Sequence, residues 1–158
     1  MYWLVLALAT YEGCLQLNER MERWEIYHQA ESDARARRLP LMVVGCPKWF
    51  LFSHGYGDMT LDIQHNQFCR CPNPVTLDIR EIDRRLKPKS LVIFSSHVLE
   101  HLEAGEARRA MIAIDRVAVS QYHVFPSRWS IAAQLAPGHK CWPVVSEDGR
   151  LTFEERDR

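Results

Sequence analysis

Apolar positions along the chain follow two different textures. Over residues 15–38, "LQLNERMERWEIYHQAESDARARR", they recur at helical spacing, with Leu17, Met21, Trp24 and His28 on one stripe and no breaker before Pro40. One helix of roughly 30 residues, ~45 Å long, is expected. Upstream, "MYWLVLALAT" is apolar but lacks the basic flank of a signal peptide and is shorter than one. Continued through "YEGCLQL", the stretch comes near the lower limit for a spanning helix, yet Glu12 and Gly13 interrupt it. Its apolar end is expected to pack on the domain or on a second copy of the chain, with a membrane surface as the other partner left open.

From residue 39 the texture changes to short continuous apolar runs that each close on a glycine or a polar residue. "LPLMVVG", "MTLDI" (59–63), "VTLDI" (75–79) and "SLVIFSS" (90–96) read as strands covered on both faces, as in a parallel sheet. In "EAGEARRAMIAIDRVAVS", Ala107, Ala110, Met111, Ile114 and Val117 recur at helical spacing, and "QYHVF" then gives another strand. "SRWSIAAQLA" predicts a short helix starting at Ser127 or Ser130. "KCWPVV" and "RLTFEER" flank Asp148-Gly149, a strong hairpin signal. The chain divides into an N-terminal helix (1–38) and an α/β domain (39–158), with parallel-type strands first and an antiparallel hairpin last.

Charge narrows the partners. The 20 basic and 20 acidic residues cancel, so no overall field draws the chain to nucleic acid. Cys14, Cys46, Cys69, Cys71 and Cys141 are odd in number and irregularly spaced, unlike a secreted disulfide framework, which points to a reducing, cytoplasmic environment.

Candidate chemistry then collects at one place. In an open α/β sheet, ligands bind beyond the carboxyl ends of the strands, where Gly45, Asp62, Asp78 and Ser95 to His97 would lie together. A carboxylate there can accept two hydrogen bonds from a ribose diol.

The succession "LMVVGCP", "MTLDI", "PNPVTLDI", "LVIFSSHVLEHLE", "AMIAIDRVAVSQYHVFPSRWS" and "LAPGHKCW", about residues 39–145, resembles class I S-adenosylmethionine-dependent methyltransferases of the methyltransferase-11 type. The resemblance implies a compact Rossmann-like methyltransferase sheet, S-adenosylmethionine as cofactor and a small-molecule or lipid-like acceptor. It assigns Gly45, Cys46 and Pro47 to the turn around the methionine part of the cofactor, and Asp62 with Ile63 to the ribose. Asp78 and Ile79 fall beside the adenine, and Ser95, Ser96 and His97 line cofactor and acceptor. His97 or His101, and also His123, are candidate bases where the nucleophile must lose a proton.

The chain departs from that family in two respects. Its glycine-rich turn is reduced to "GCPKWF", and "CPKWFLFSHGYGD" and "QHNQFCRCPNP" are short for the usual crossover helices. One sheet face is therefore expected to be bare of its own helices and covered by the long N-terminal helix, a partner or a membrane. "KWFLF" is expected to replace core lost with the missing helix, and Gly55 and Gly57 to wrap the cofactor from another side. A weaker pattern, His54, His65, Cys69, Cys71 and Cys46, has zinc-ligand residue types without the usual spacing. The competing reading is a methyltransferase-like protein without catalysis that serves assembly.

Overall fold

A computed structural model of the chain describes residues 2–46, 54–64, 71 and 73–156. The first element, α1 (Tyr2–Arg37), is a single helix of 36 residues. It starts earlier than the helical stripe predicts, because the apolar stretch before Leu15 continues the same helix. It ends where Arg38 enters the left-handed region (φ 56) and the Leu39 amide donates to the Ala34 carbonyl at 3.0 Å, just ahead of Pro40.

Five strands follow in one sheet: β1 (Leu41–Val44), β2 (Met59–Asp62), β3 (Pro74–Thr76), β4 (Leu91–Ser96) and β5 (Ala118–Val124). Their spatial order is β3-β2-β1-β4-β5 and every pairing is parallel, so the order reverses direction between β1 and β4. Between β3 and β4 lie a 3-10 turn (Ile79–Glu81) and the short α2 (Ile82–Arg85); between β4 and β5 lie a second 3-10 turn (Leu99–His101) and α3 (Ala104–Val117). The chain ends with α4 (Ile131–Leu135) and the hairpin β6 (Cys141–Val145) and β7 (Leu151–Glu155), turned at Gly149 (φ 78).

The expected α/β class, largely parallel sheet, N-terminal helix and terminal hairpin are all present. Two details differ. The hairpin is a separate two-stranded sheet that contributes Cys141 and Phe153 to the core beside α3. The run 75–79 leaves its strand at Thr76, because Asp78 caps the 3-10 turn and draws Ile79 into it.

Strand alternation divides the apolar residues between two faces. Met42, Val44, Leu91 and Ile93 join Ala107, Ala110, Ile114 and Val117 of α3, as the helical spacing predicts. Leu41, Val43, Val92, Phe94 and Val124 face the other way and meet Tyr27, Ala30 and Ala34 of α1. No helix is present between β1 and β2 or between β2 and β3 among the described residues, and α1 is the layer over that face at β1, β4 and β5. Small side chains at Ala30 and Ala34 let the helix backbone approach the sheet.

The face α1 turns inward is not the predicted stripe. Leu17, Met21 and Trp24 are about half exposed, whereas Glu19, Tyr27, Ala30 and Ala34 are buried. Apolar periodicity marked the outer side of the helix. Pairing with polar groups of the domain, described below, decides which side goes in. Beyond the domain, Tyr2, Trp3, Leu4, Val5 and Leu6 are all exposed. No described helix is long and apolar enough to cross a membrane.

Candidate functional site

The carboxyl edge of the sheet has two parts. At the β1–β3 part, Gly45 turns the chain with φ 86, and its amide donates to the Leu61 carbonyl at 2.8 Å. A Cβ at Gly45 would come 2.7 Å from Val98 Cγ2, so the space beside this turn already holds a side chain. Asp62, at the end of β2, accepts the Cys46 amide (2.9 Å) through Oδ2 and the Gln64 amide (3.2 Å) through Oδ1. It braces the turn after β1 against its own. Ile63 is exposed next to it. Asp78 caps the 3-10 turn through the Arg80 amide (2.9 Å) and is held by the Arg80 guanidinium, which also pairs with Glu106. Its hydrogen bonds to Arg80 hold its carboxyl below the ordinary range. Ile79 is buried in the core. Pro47 lies outside the described residues, as do "KWFLF", His65 and Cys69.

The β4 part is built differently. Ser95 Oγ meets His123 Nδ1 at 2.6 Å, and His123 Nε2 meets Gln121 at 3.0 Å. Burial lowers the His123 pKa to about 4. Both ring nitrogens are engaged, so His123 holds the strand ends and has no free lone pair for a substrate proton. His97 takes a left-handed backbone (φ 54), with its amide on the Val124 carbonyl. Its Nε2 accepts from Arg23 Nη2 at 2.8 Å, and Nδ1 lies 3.9 Å from Glu100 Oε1. Burial, and then the Arg23 charge, lower its pKa to about 3.

Arg23 arrives from α1 together with Glu19, whose Oε1 accepts the Ser127 amide at 2.8 Å, and Glu12, which accepts the Ser130 hydroxyl at 2.7 Å. The spacing 12, 16, 19, 23, 27, 30, 34 is one face of a helix. Its first four members are the polar residues Glu12, Gln16, Glu19 and Arg23, which is why a search for apolar stripes passes over it.

Glu100 is fully buried, and neither carboxylate oxygen has a hydrogen-bond partner. Burial pushes its pKa up to about 8. His101 is exposed and donates through Nδ1 to the Gly138 carbonyl at 3.0 Å. His139, in the turn before β6, lies with its ring centroid 5.0 Å from that of His101. Cys141 is buried beside them, its thiol pushed up to about 12 by burial and neighbouring carboxylates, so it is not a thiolate nucleophile.

Among the described residues, the buried side-chain polar atoms without a hydrogen-bond partner are Arg23 Nε, Ser96 Oγ, both Glu100 oxygens and His139 Nδ1. All belong to the end of β4 and the segments packed on it. Such groups are few in folded proteins and each calls for a cause. Of the residues singled out from sequence, Ser95, Ser96, His97 and His101 meet here; Gly45, Cys46, Asp62 and Ile63 lie across the β1–β4 junction, and Asp78 and Ile79 beyond them. Sequence reasoning missed Glu19, Arg23, Glu100 and His139. The doublet Glu100-His101, following a strand that ends in two serines, is the signal that pointed nearest to them.

Other expected features lie elsewhere. Gly55 and Gly57 sit at the amino end of β1, away from this edge: a Cβ on Gly57 would meet the Leu41 carbonyl at 2.6 Å, and one on Gly55 the Tyr27 hydroxyl at 2.2 Å. They fit this segment under α1, so a cofactor-wrapping role is corrected. His54 is buried against Tyr27 and Phe94, with Nδ1 on the Gly55 carbonyl. Cys46 is disulfide-bonded, unlike the reduced thiol or zinc-ligand candidate that the sequence suggests. A cavity of about 290 Å³ opens at the amino ends of the strands beside Tyr27, Glu31, Arg35 and Asp58. Its polar groups are already paired: Asp58 with the Leu41 amide, Tyr27 with the Gly57 amide, and Glu31 with Arg35.

Compared with known proteins, the chain matches no protein-family model and no curated protein.

Proposed function

We propose that the protein is an S-adenosylmethionine-dependent methyltransferase whose small-molecule or lipid-like acceptor binds at the end of β4. The observation that carries this reading is the gathering of unpartnered buried polar groups at that end, next to the point where the parallel strand order reverses. Sheets ordered 3-2-1-4-5 bind nucleotide-type ligands at that reversal. The order supports a Rossmann-like sheet in this chain.

The described residues fit such a cofactor in part. A carboxylate offers about four acceptor positions, and the two amides on Asp62 leave it capacity for ribose hydroxyls. Gly45 brings backbone to the edge without a side chain. Asp78 must release Arg80 before it can reach an adenine amino group, and Val98 must move from Gly45. Ser95, Ser96 and the His97 backbone would border the methyl-donating end.

The cofactor supplies an electrophilic methyl group, so the chain's own task is positioning, with proton removal only for a protonated nucleophile. His97 is poorly suited to that removal because Arg23 occupies its Nε2. It positions Arg23. His101 presents the available Nε2, on the solvent side of the same edge.

Calorimetric titration of the protein with S-adenosylmethionine and S-adenosylhomocysteine tests the reading. Saturable micromolar binding, weakened more than about tenfold in Asp62→Ala by loss of a charge-assisted contact, supports it. The absence of heat at millimolar ligand sinks it. That outcome favours the second reading, a non-catalytic assembly protein, to which Val98 against Gly45, the Arg80 clamp on Asp78 and the exposed apolar end of α1 all lend support.

A further inference from the structure

Glu100, His101 and His139 each offer a donor atom, and the three atoms lie within 4.8 Å of one another. We propose that they form a binding site for one divalent transition-metal ion. The inference goes beyond methyl transfer and does not depend on it.

Three independent features point to a cation here. Glu100 is 0 % exposed and both its oxygens lack a partner. A buried carboxyl group with no hydrogen-bond partner is a costly arrangement, and the ring nitrogen that faces it, His97 Nδ1, stays 3.9 Å away. Arg23, the guanidinium that acts electrostatically on Glu100, directs Nη2 to His97 instead. The two imidazoles are also presented as ligating histidines usually are, each steadied by backbone on one side. His101 Nδ1 is held by the Gly138 carbonyl, which leaves the Nε2 lone pair for a metal. His139 has a hydrogen bond to the backbone of Ala133, while its Nδ1 is buried without a partner. Finally, the backbone is braced to keep the three together. The Lys140 amide donates to the Glu100 carbonyl at 2.7 Å, and Arg156 donates to the carbonyls of Ala136 and His139, which fixes the turn carrying His139.

Donors of a tetrahedral site at ~2.0–2.1 Å from the metal lie about 3.3 Å apart, so the set must contract by up to about 1.5 Å. A shift of the exposed His101 side chain together with the Gly138 turn that holds it would supply this. Two imidazoles and one carboxylate suit Zn²⁺, Co²⁺ or Mn²⁺, whereas Mg²⁺ and Ca²⁺ call for oxygen ligands throughout. Three protein ligands leave a coordination position open toward solvent at His101. An oxygen of the acceptor would fit there; that last step rests on the function proposed above, and His101 would then hold metal rather than take a proton.

The test uses untagged full-length protein stripped with chelator, titrated with Zn²⁺ and with Co²⁺ in the absence of any methyl donor. One ion per chain is expected, with a Co²⁺ ligand-field spectrum and a rise in melting temperature on saturation. His101→Ala, at the surface, and Glu100→Gln should each abolish stoichiometric binding while keeping the apo circular dichroism spectrum. Gly138→Ala, whose Cβ would press on His101 Nδ1 at 2.9 Å, should weaken it by roughly 10–100-fold. His28→Ala, on the outside of α1, should leave it unchanged. Substoichiometric uptake, or uptake that survives His101→Ala and Glu100→Gln, overturns the proposal. So does uptake lost only in Cys71→Ser, which would move the metal to the 65–71 segment. Because no methyl donor is present, the outcome is separate from that of the cofactor titration.

Discussion

The two parts of the sheet's carboxyl edge are made from similar residues and treated in opposite ways. At β1–β3, the carboxylates of Asp62 and Asp78 are each engaged, by backbone amides and, for Asp78, by Arg80. At β4, Glu100 is buried deeper than either and has no partner. A paired carboxylate stabilises the chain that makes it. An unpaired buried one costs stability and persists only where the surroundings hold it in place, a common condition at functional sites. The difference sets the end of β4 apart as the part of the edge with unsatisfied buried groups.

Acid should separate the two parts most strongly. His123 at the end of β4, and His54 under α1 outside both parts, have native pKa values of about 4, below the ordinary 6.5, with burial as the main cause. The unfolded chain therefore binds more protons between those limits. Their contribution is full above pH 6.5 and is lost as pH falls toward 4, by up to about 3 kcal/mol apiece. Asp78 has a lowered carboxylate pKa, so its contribution is lost only below its ordinary value of 3.8. Glu100, whose pKa burial raises to about 8, acts with the opposite sign and gains stability as pH falls from 8 toward 4.5, so the denaturant melts across pH 7 to 3 are read in Glu100→Gln. This variant should lose stability between pH 6.5 and 4, before the loss below 3.8, and a flat profile there would remove the buried neutral histidines.

Paired and unpaired carboxylates should also respond to mutation with opposite signs. Asp62→Ala should destabilise by about 1.5–3 kcal/mol through two orphaned amides, read from the urea midpoint. Glu100→Met, in metal-free protein, should stabilise by about 1–3 kcal/mol, because an unpartnered polar group gives way to an apolar one. A Glu100→Met protein that unfolds more easily than the parent would show that Glu100 has a partner. Ser96→Ala is the mildest version: loss of a buried, unpaired hydroxyl should raise stability by no more than about 1 kcal/mol.

Much of the frame was legible from sequence because the runs "LMVV" and "LVIF" are short and apolar without alternation, as in strands buried on both faces. Ala107, Ala110, Ile114 and Val117 fixed the inner side of α3 for an equally local reason, the helical repeat. A cap at Ser127 or Ser130, of which the structure uses Ser130, and Asp148-Gly149 as a turn needed no more than their own neighbours. Short crossovers also implied a sheet face without helices of its own, and α1 covers it at β1, β4 and β5.

Contacts distant in sequence were not legible in the same way. The stripe Leu17, Met21 and Trp24 is a correct reading of helical periodicity, yet it lies outside, since Glu12, Glu19 and Arg23 find partners on Ser130, Ser127 and His97 only once the chain has folded. Glu100 and His139 are 39 positions apart, and no spacing rule joins them. The sequence by itself determined the elements, because periodicity, caps and turns act through neighbours a few residues away. Tertiary structure alone decided which side of α1 is buried, and that Glu100, His101 and His139 converge, because burial and pairing depend on which groups meet across the core.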